Sequence, residues 1–146
     1  MEFDTTVKLA IYRHFAKTGN RPSPEEIAQN VDTEVGRVLE AYNRLRARRM
    51  LVLEADGSSI RMASPFSGVP TQHVVVSGGV QYFANCAWDA LGVLAALQRS
   101  GVVHSRCAQS GEPLYLNVSP DGPEPSTWLF HSLVPAAKWW DDIVFT

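Results

Sequence analysis

Residues Tyr82 to Leu97 read Tyr-Phe-Ala-Asn-Cys-Ala-Trp-Asp-Ala-Leu-Gly-Val-Leu-Ala-Ala-Leu, a helical stretch with no wide polar face. A helix of this composition is expected to be buried nearly all round, so the rest of the chain is constrained to cover it. Asn85 is a favourable N-cap, which puts Cys86 at the first helical position, where the helix dipole favours thiolate over thiol. Gly101, after Arg99 and Ser100, closes the helix. Asp89 is the odd residue. It follows Cys86 at i+3, a spacing that sets both side chains on one helix face. A carboxylate there is either paired with a donor or pushed up until it holds a proton at neutral pH, and such a proton beside a thiolate is a usable general acid. The plainer alternative is an Asp89 that caps a loop and a Cys86 that fills the core.

At 146 residues and 45% hydrophobic, the chain can build one sizeable core or two small ones. A formal charge of −2 with mixed signs gives no global field for nucleic acid or an anionic membrane. No charged-then-apolar leader opens the sequence, and no apolar run approaches about 18 residues, so a cytoplasmic protein without membrane contact is expected. Two cysteines in that setting are expected as reduced thiols.

Helical spacing over Thr5–Lys17 predicts a first helix ended by Gly19-Asn20. Ser23-Pro24-Glu25-Glu26 supplies an N-cap, an N1 proline and a capping-box glutamate for a short second helix. Asp32 is expected to cap a third, with Val35, Val38, Leu39, Tyr42 and Leu45 as its buried stripe and Met50 as a candidate to extend it. Leu51–Glu54, a turn at Asp56-Gly57 and Ser59–Ala63 then read as a hairpin. Three helices and a hairpin over residues 1–64 form a winged helix-turn-helix-like module. DNA binding is nonetheless not expected: the would-be recognition helix starts with Asp32 and Glu34, the arginines 44, 46, 48 and 49 lie at its C-terminal end, and residues 1–64 hold ten basic against nine acidic side chains.

Pro65, Gly68 and Pro70 mark 65–72 as a linker to a second part, 73–146. There His73–Ser77, Gly78-Gly79 and Val80–Phe83 read as a hairpin feeding the Cys86 helix. Val102–Cys107 and Pro113–Val118 read as a strand pair, Thr127–Val134 as one more strand, and Ile143–Phe145 as a short last one. The fold class is therefore α+β, a helical module followed by a mixed or antiparallel sheet domain. Cys86 and Cys107 form no Cys-x-x-Cys unit, and His14, His73, His104 and His131 have no ligand spacing, so a structural zinc site is not expected. His104 and Cys107 would face opposite sides of a strand. The tryptophans 88, 128, 139 and 140 are read as lining the core or an apolar pocket.

Three ordered blocks, Asn-Cys-Ala-Trp-Asp-Ala-Leu (85–91), His-Ser-Arg-Cys-Ala-Gln-Ser-Gly-Glu-Pro-Leu (104–114) and Leu-Asn-Val-Ser-Pro (116–120), resemble the alkylmercury (organomercurial) lyase family. The resemblance implies protonolysis of carbon–mercury bonds, with Cys86 as the thiolate that takes the mercury and Asp89 as the proton donor. Cys107 matches a cysteine usually read as structural and is a secondary candidate for mercury. No cofactor is implied. The implied partners are an organomercurial or mercuric ion and an external small thiol; a homodimer is compatible with it. Counting from Pro135, the family's second mercury-binding cysteine is expected just past Thr146, so the chain is expected to be truncated or short before that thiol. Two other functions stay open: a non-catalytic thiol-dependent mercury binder or sensor, and a winged-helix DNA-binding regulator.

Weak, strongly salt-dependent affinity for DNA is the expected outcome of a gel-shift titration. Sub-micromolar binding at about 150 mM salt that disappears in Arg37→Ala would overturn the charge argument.

Overall fold

The computed structural model describes residues 2–144 and shows an α+β fold. Three helices come first: α1 (Phe3–Thr18), α2 (Pro24–Asn30) and α3 (Val35–Ala47). The capping box of α2 forms as its sequence dictates. Ser23 Oγ accepts from the Glu26 N–H at 3.1 Å, and the Glu26 carboxylate accepts from the Ser23 N–H at 2.8 Å. The start of α3 departs from expectation, since Glu34 and not Asp32 is its N-cap. Asp32 has φ +51 and belongs to the preceding turn. Val38, Ala41, Tyr42 and Leu45 of α3 are buried against Val7, Ile11 and Phe15 of α1 and Ile27 of α2.

A small antiparallel sheet follows, in the order β1-β2-β3: β1 (Val52–Leu53), β2 (Ile60–Ala63) and β3 (Phe66–Ser67). Its first turn is tied by Asp56, whose carboxylate accepts from the Ser58 and Ser59 N–H groups. The stretch 65–72, read as a connector from its prolines and glycines, thus contributes a strand. Phe66 is the reason: it is 2% exposed, stacks on Phe15 at 5.2 Å and 9°, and tilts against Tyr82 at 5.8 Å.

The larger sheet has the order β5-β4-β6-β7-β8, all antiparallel: β4 (Val74–Ser77), β5 (Val80–Phe83), β6 (Gly101–Arg106), β7 (Pro113–Ser119) and β8 (Gly122–Pro123). Gly78 and Gly79 make the two-residue β4–β5 turn, with φ of +58 and +77, which is the pair of positive angles that a tight hairpin needs. Between β5 and β6 runs α4 (Ala87–Leu97). It buries Ala90, Val93 and Leu94, and Val75, Tyr82, Val103 and Val118 are the buried apolar positions of the sheet. α4 is not covered all round. Trp88 is 57% exposed, and Ala95 and Ala96 face solvent.

Helical and sheet parts meet at α1 and β5. The Tyr82 hydroxyl donates to the Ala16 carbonyl, and Gly19, at φ +74, lies so close to the Gln81 carbonyl that any Cβ there would overlap it. Beyond β8 the strand expected over Thr127–Val134 does not form. Glu124 N–H still bonds to Asn117 O, but Pro123 and Pro125 have no N–H to extend the ladder, and the chain leaves the sheet. Residues 127–134 run without regular structure, and a 3₁₀ helix, Ala136–Asp141, follows them. Ile143 and Val144 lie in a turn; Phe145, the rest of the last expected strand, lies outside the described residues.

Phe66→Ala is expected to cost about 3–5 kcal/mol, because it empties the aromatic cluster joining α1, β3 and β5. Urea unfolding of the two chains measures it; a loss under about 1 kcal/mol would mean that this cluster does not join them.

Candidate active site

The site is built where β5 hands over to α4. Cys86 has extended backbone angles, φ −152 and ψ 178, so it is itself the N-cap of α4, and the helix starts one residue later than the sequence suggested. Its Sγ accepts the Asp89 backbone N–H at 3.4 Å, the place a serine oxygen would take at an ordinary helix start. Asn85 is thereby released from capping. Its Nδ2 donates toward three acceptors: the carbonyls of Pro65 (3.3 Å) and Phe66 (3.2 Å), and Asp89 Oδ2 (3.1 Å). Cys86 and Asp89 thus lie together on one turn of helix, both half-buried, with Asn85 bridging the carboxyl to the 64–66 turn.

Burial governs the electrostatics here. It pushes the Asp89 carboxyl above the usual carboxylate range, and the Asn85 amide partly opposes this by donating to the charged form. Burial likewise pushes the Cys86 thiol up. The Asp89 N–H pulls it down, the Asp89 charge pushes it up, and the Trp88 N–H pulls it down. The expected lowering by the helix start is therefore reversed: loss of water around the sulfur outweighs the N–H groups that point at it. Tyr12 of α1 donates to the Ser64 carbonyl at 2.8 Å, and its hydroxyl is pushed up chiefly by burial and then by the Asp89 charge.

Cys107 stands apart. It follows the last residue of β6, in a turn where the Gly111 N–H bonds to its carbonyl at 2.9 Å, and not on a buried strand. The Ser110 hydroxyl, then the Ser110 and Gln109 N–H groups, hold its thiol below the ordinary value. Cys86 and Cys107 lie at the same end of the sheet, but β4 runs between β5 and β6, which separates their strands by about 10 Å. His104 is on β6 with its ring edge-on to Tyr115, 4.8 Å away. Among the described residues no group of three or more His, Cys, Asp or Glu side chains is placed to hold a metal ion.

The contacts that hold this site from a distance were not legible in the sequence. Asn85 reaches back twenty residues to Pro65, and Tyr12 reaches Ser64 across fifty-two, separations that no local pattern reveals. Tyr12 and Ser64 also line a cavity of about 110 Å³ with Met50, Met62 and Trp140. Trp88, read as a core or pocket residue, instead lies on the open face of α4 against Phe130, 5.8 Å between rings.

The family model for MerB, alkylmercury lyase, matches residues 66–146. Alkylmercury lyases of Bacillus cereus and Clostridium butyricum are each 40% identical over 70 residues, 46% of this chain. The chain spans about a third of the length of these relatives, the matched part being 32% of each. The crystal structure of the mercury-bound form of MerB2 superposes with a TM-score of 0.59 at 26% identity, over 84% of this chain and 68% of that one.

In the metal-free protein, a thiol-alkylating reagent near neutral pH is expected to label Cys107 faster than Cys86, as the opposite displacements of the two thiols require. Peptide mapping after brief alkylation reads the order. Faster labelling of Cys86 would show that the helix start, and not burial, controls its thiol.

Proposed function

The chain belongs to the alkylmercury lyase family, and from that premise we propose that it cleaves carbon–mercury bonds by protonolysis, with Cys86 as the mercury-binding thiolate and Asp89 as the proton donor. The observation that carries the reading is the juxtaposition of the two: a carboxyl pushed toward its protonated form by burial, on the turn of helix that Cys86 caps. A soft sulfur suits a soft metal, and a desolvated acid suits a carbanion-like leaving group.

Cys86 forms a sulfur–mercury bond, and its proton leaves with the ligand that is expelled from the position opposite the carbon. The carbon–mercury bond then breaks, its electron pair takes the proton from Asp89, and a hydrocarbon leaves. Mercury(II) stays on Cys86 with the Asp89 carboxylate beside it, until two small thiols take it up as a dithiolate and return their protons to Cys86 and Asp89. Mercury is substrate and product here, and the residues act without a cofactor. Cys107, two strands away, serves as a structural thiol in this scheme. We also take residues 1–64 as a structural module joined through 65–72 to the site-bearing part 73–146, a cytoplasmic setting with small thiols at hand as the place of action, and DNA as no partner.

A second reading, a non-catalytic mercury binder, draws on the single thiol at the site. One thiolate activates the carbon–mercury bond less than two would, so slow or single-turnover release is the expectation for this chain.

Asp89→Asn keeps the shape of the side chain but has no proton to give. It is expected to leave the fold and mercury capture by Cys86 intact while abolishing benzene release from phenylmercury in excess cysteine. Asp89→Ala should be equally inactive, and should lose about 1–3 kcal/mol of stability if the carboxylate also satisfies buried donors. Unchanged release in Asp89→Asn would eliminate Asp89 as the acid. Stoichiometric mercury on wild-type Cys86 without any release would establish the binder.

A further inference from the structure

We propose that Asn85 is a positioning residue that gives the two oxygens of the Asp89 carboxyl separate tasks: Oδ2 is held by the amide, and Oδ1 is the oxygen that delivers the proton. The inference rests on Asp89 being the proton donor.

The amide nitrogen of Asn85 faces three acceptors between 3.1 and 3.3 Å, two consecutive backbone carbonyls and Asp89 Oδ2. Its own Oδ1 is buried and accepts nothing among the described residues. The orientation is forced, because turning the amide over would aim its oxygen at three other oxygens. It also carries a cost, since a buried carbonyl is left unpaired. Helix capping does not explain that cost; Cys86 already fills the N-cap.

The anchor is held in its turn. Ser64 O accepts from Tyr12, Phe66 is buried, and Pro65 sits so close to Gly92 of α4 that a Cβ there would lie 3.2 Å from it. Asn85 therefore fixes Oδ2 against a stationary point of the fold rather than a mobile loop. A lone pair engaged by an N–H is a poor seat for a proton, so the acid proton sits on Oδ1, for which the described residues supply no hydrogen bond. Without the amide, the carboxyl rotates about its Cβ–Cγ bond and the proton samples both oxygens and both directions.

The test is single-turnover kinetics on the full chain with phenylmercury and excess cysteine, in Asn85→Ala and Asn85→Gln. Capture is followed by loss of Cys86 alkylation and release by benzene. Asn85→Ala should capture normally and release about 10- to 100-fold more slowly, the cost of a misplaced reacting group. Asn85→Gln, which keeps the amide, should recover part of the rate. Thr71→Val, which removes a nearby bond to the Ala84 carbonyl without touching the acid, should lower stability and leave release unchanged. Wild-type release in Asn85→Ala alongside none in Asp89→Asn overturns the inference and leaves the acid in place. Wild-type release in both, or capture without release in the wild-type chain, overturns the acid and this inference with it. A second measurement needs no Asn85 variant: the side-chain amide ¹⁵N and ¹H resonances of Asn85 should move in Asp89→Ala, and unmoved resonances would mean that the bond to Oδ2 does not exist in solution.

Discussion

Removal of water from the start of α4 is the constraint on which the site depends. A carboxyl and a thiol are brought together where neither is well solvated, and both respond by favouring their neutral forms. Two buried anions side by side would be costly, and a neutral pair is the arrangement that avoids the cost. In the proposed reaction the same desolvation suits the pair to a soft electrophile: mercury displaces the proton from sulfur, and the acid still holds its own proton when the carbon–mercury bond breaks. In this scheme the resting thiol need not be ionised in advance, because the metal itself is what stabilises the thiolate.

The helical part contributes to this environment directly. Phe66 packs between Phe15 of α1 and Tyr82 of β5, and Tyr12 of the same helix binds the carbonyl of Ser64. The turn 64–66 is in this way pinned from the helical side and supplies, on its other side, the two carbonyls that hold Asn85. Packing of α1 is thus connected, through one turn and one amide, to the orientation of the carboxyl on α4. At the outer end of the helical part, Asp4, almost wholly buried, accepts from Arg44 at 2.8–3.1 Å, and that guanidinium holds its carboxyl below the usual range. Because the folded value lies below the unfolded one, this contribution is present above the unfolded carboxylate range and fades as pH falls through the folded one. Acid therefore loosens α1 against α3, far in sequence from the site yet mechanically connected to it.

The parts of the fold legible in the sequence are those set by short-range rules. The capping box at Ser23–Glu26, the Asp56-Gly57 turn, the Gly78-Gly79 hairpin and the β6–β7 pair all follow from residues that constrain their own neighbours. The pairing of Cys86 with Asp89 was legible for the same reason, being one helical turn. Three things were not. The capping position slipped by one because sulfur, a weak acceptor, took a role that asparagine fills far more often. The connector 65–72 hid a strand because Phe66 outweighs its proline and glycine neighbours once a receiving pair of rings is present. The thiol's direction of shift depended on burial, which the sequence near Cys86 does not specify.

The segment after β8 shows the same limit from the other side. Thr127-Trp-Leu-Phe-His-Ser-Leu-Val134 has the composition of a strand, and a strand exists only where an edge can accept it. On β7 that edge is engaged by Gly122, Pro123 and Glu124, and prolines at 123 and 125 interrupt the run of donors that a longer ladder would require. Among its apolar side chains, Phe130 packs against Trp88, and beyond the segment Trp140 lies near Arg49 and lines the cavity that Tyr12 and Ser64 also line. Composition sets what a segment can bury, and the hydrogen-bond inventory of its neighbours sets the form in which it does so. Here the second term prevailed, and it placed an aromatic residue beside the first turn of α4.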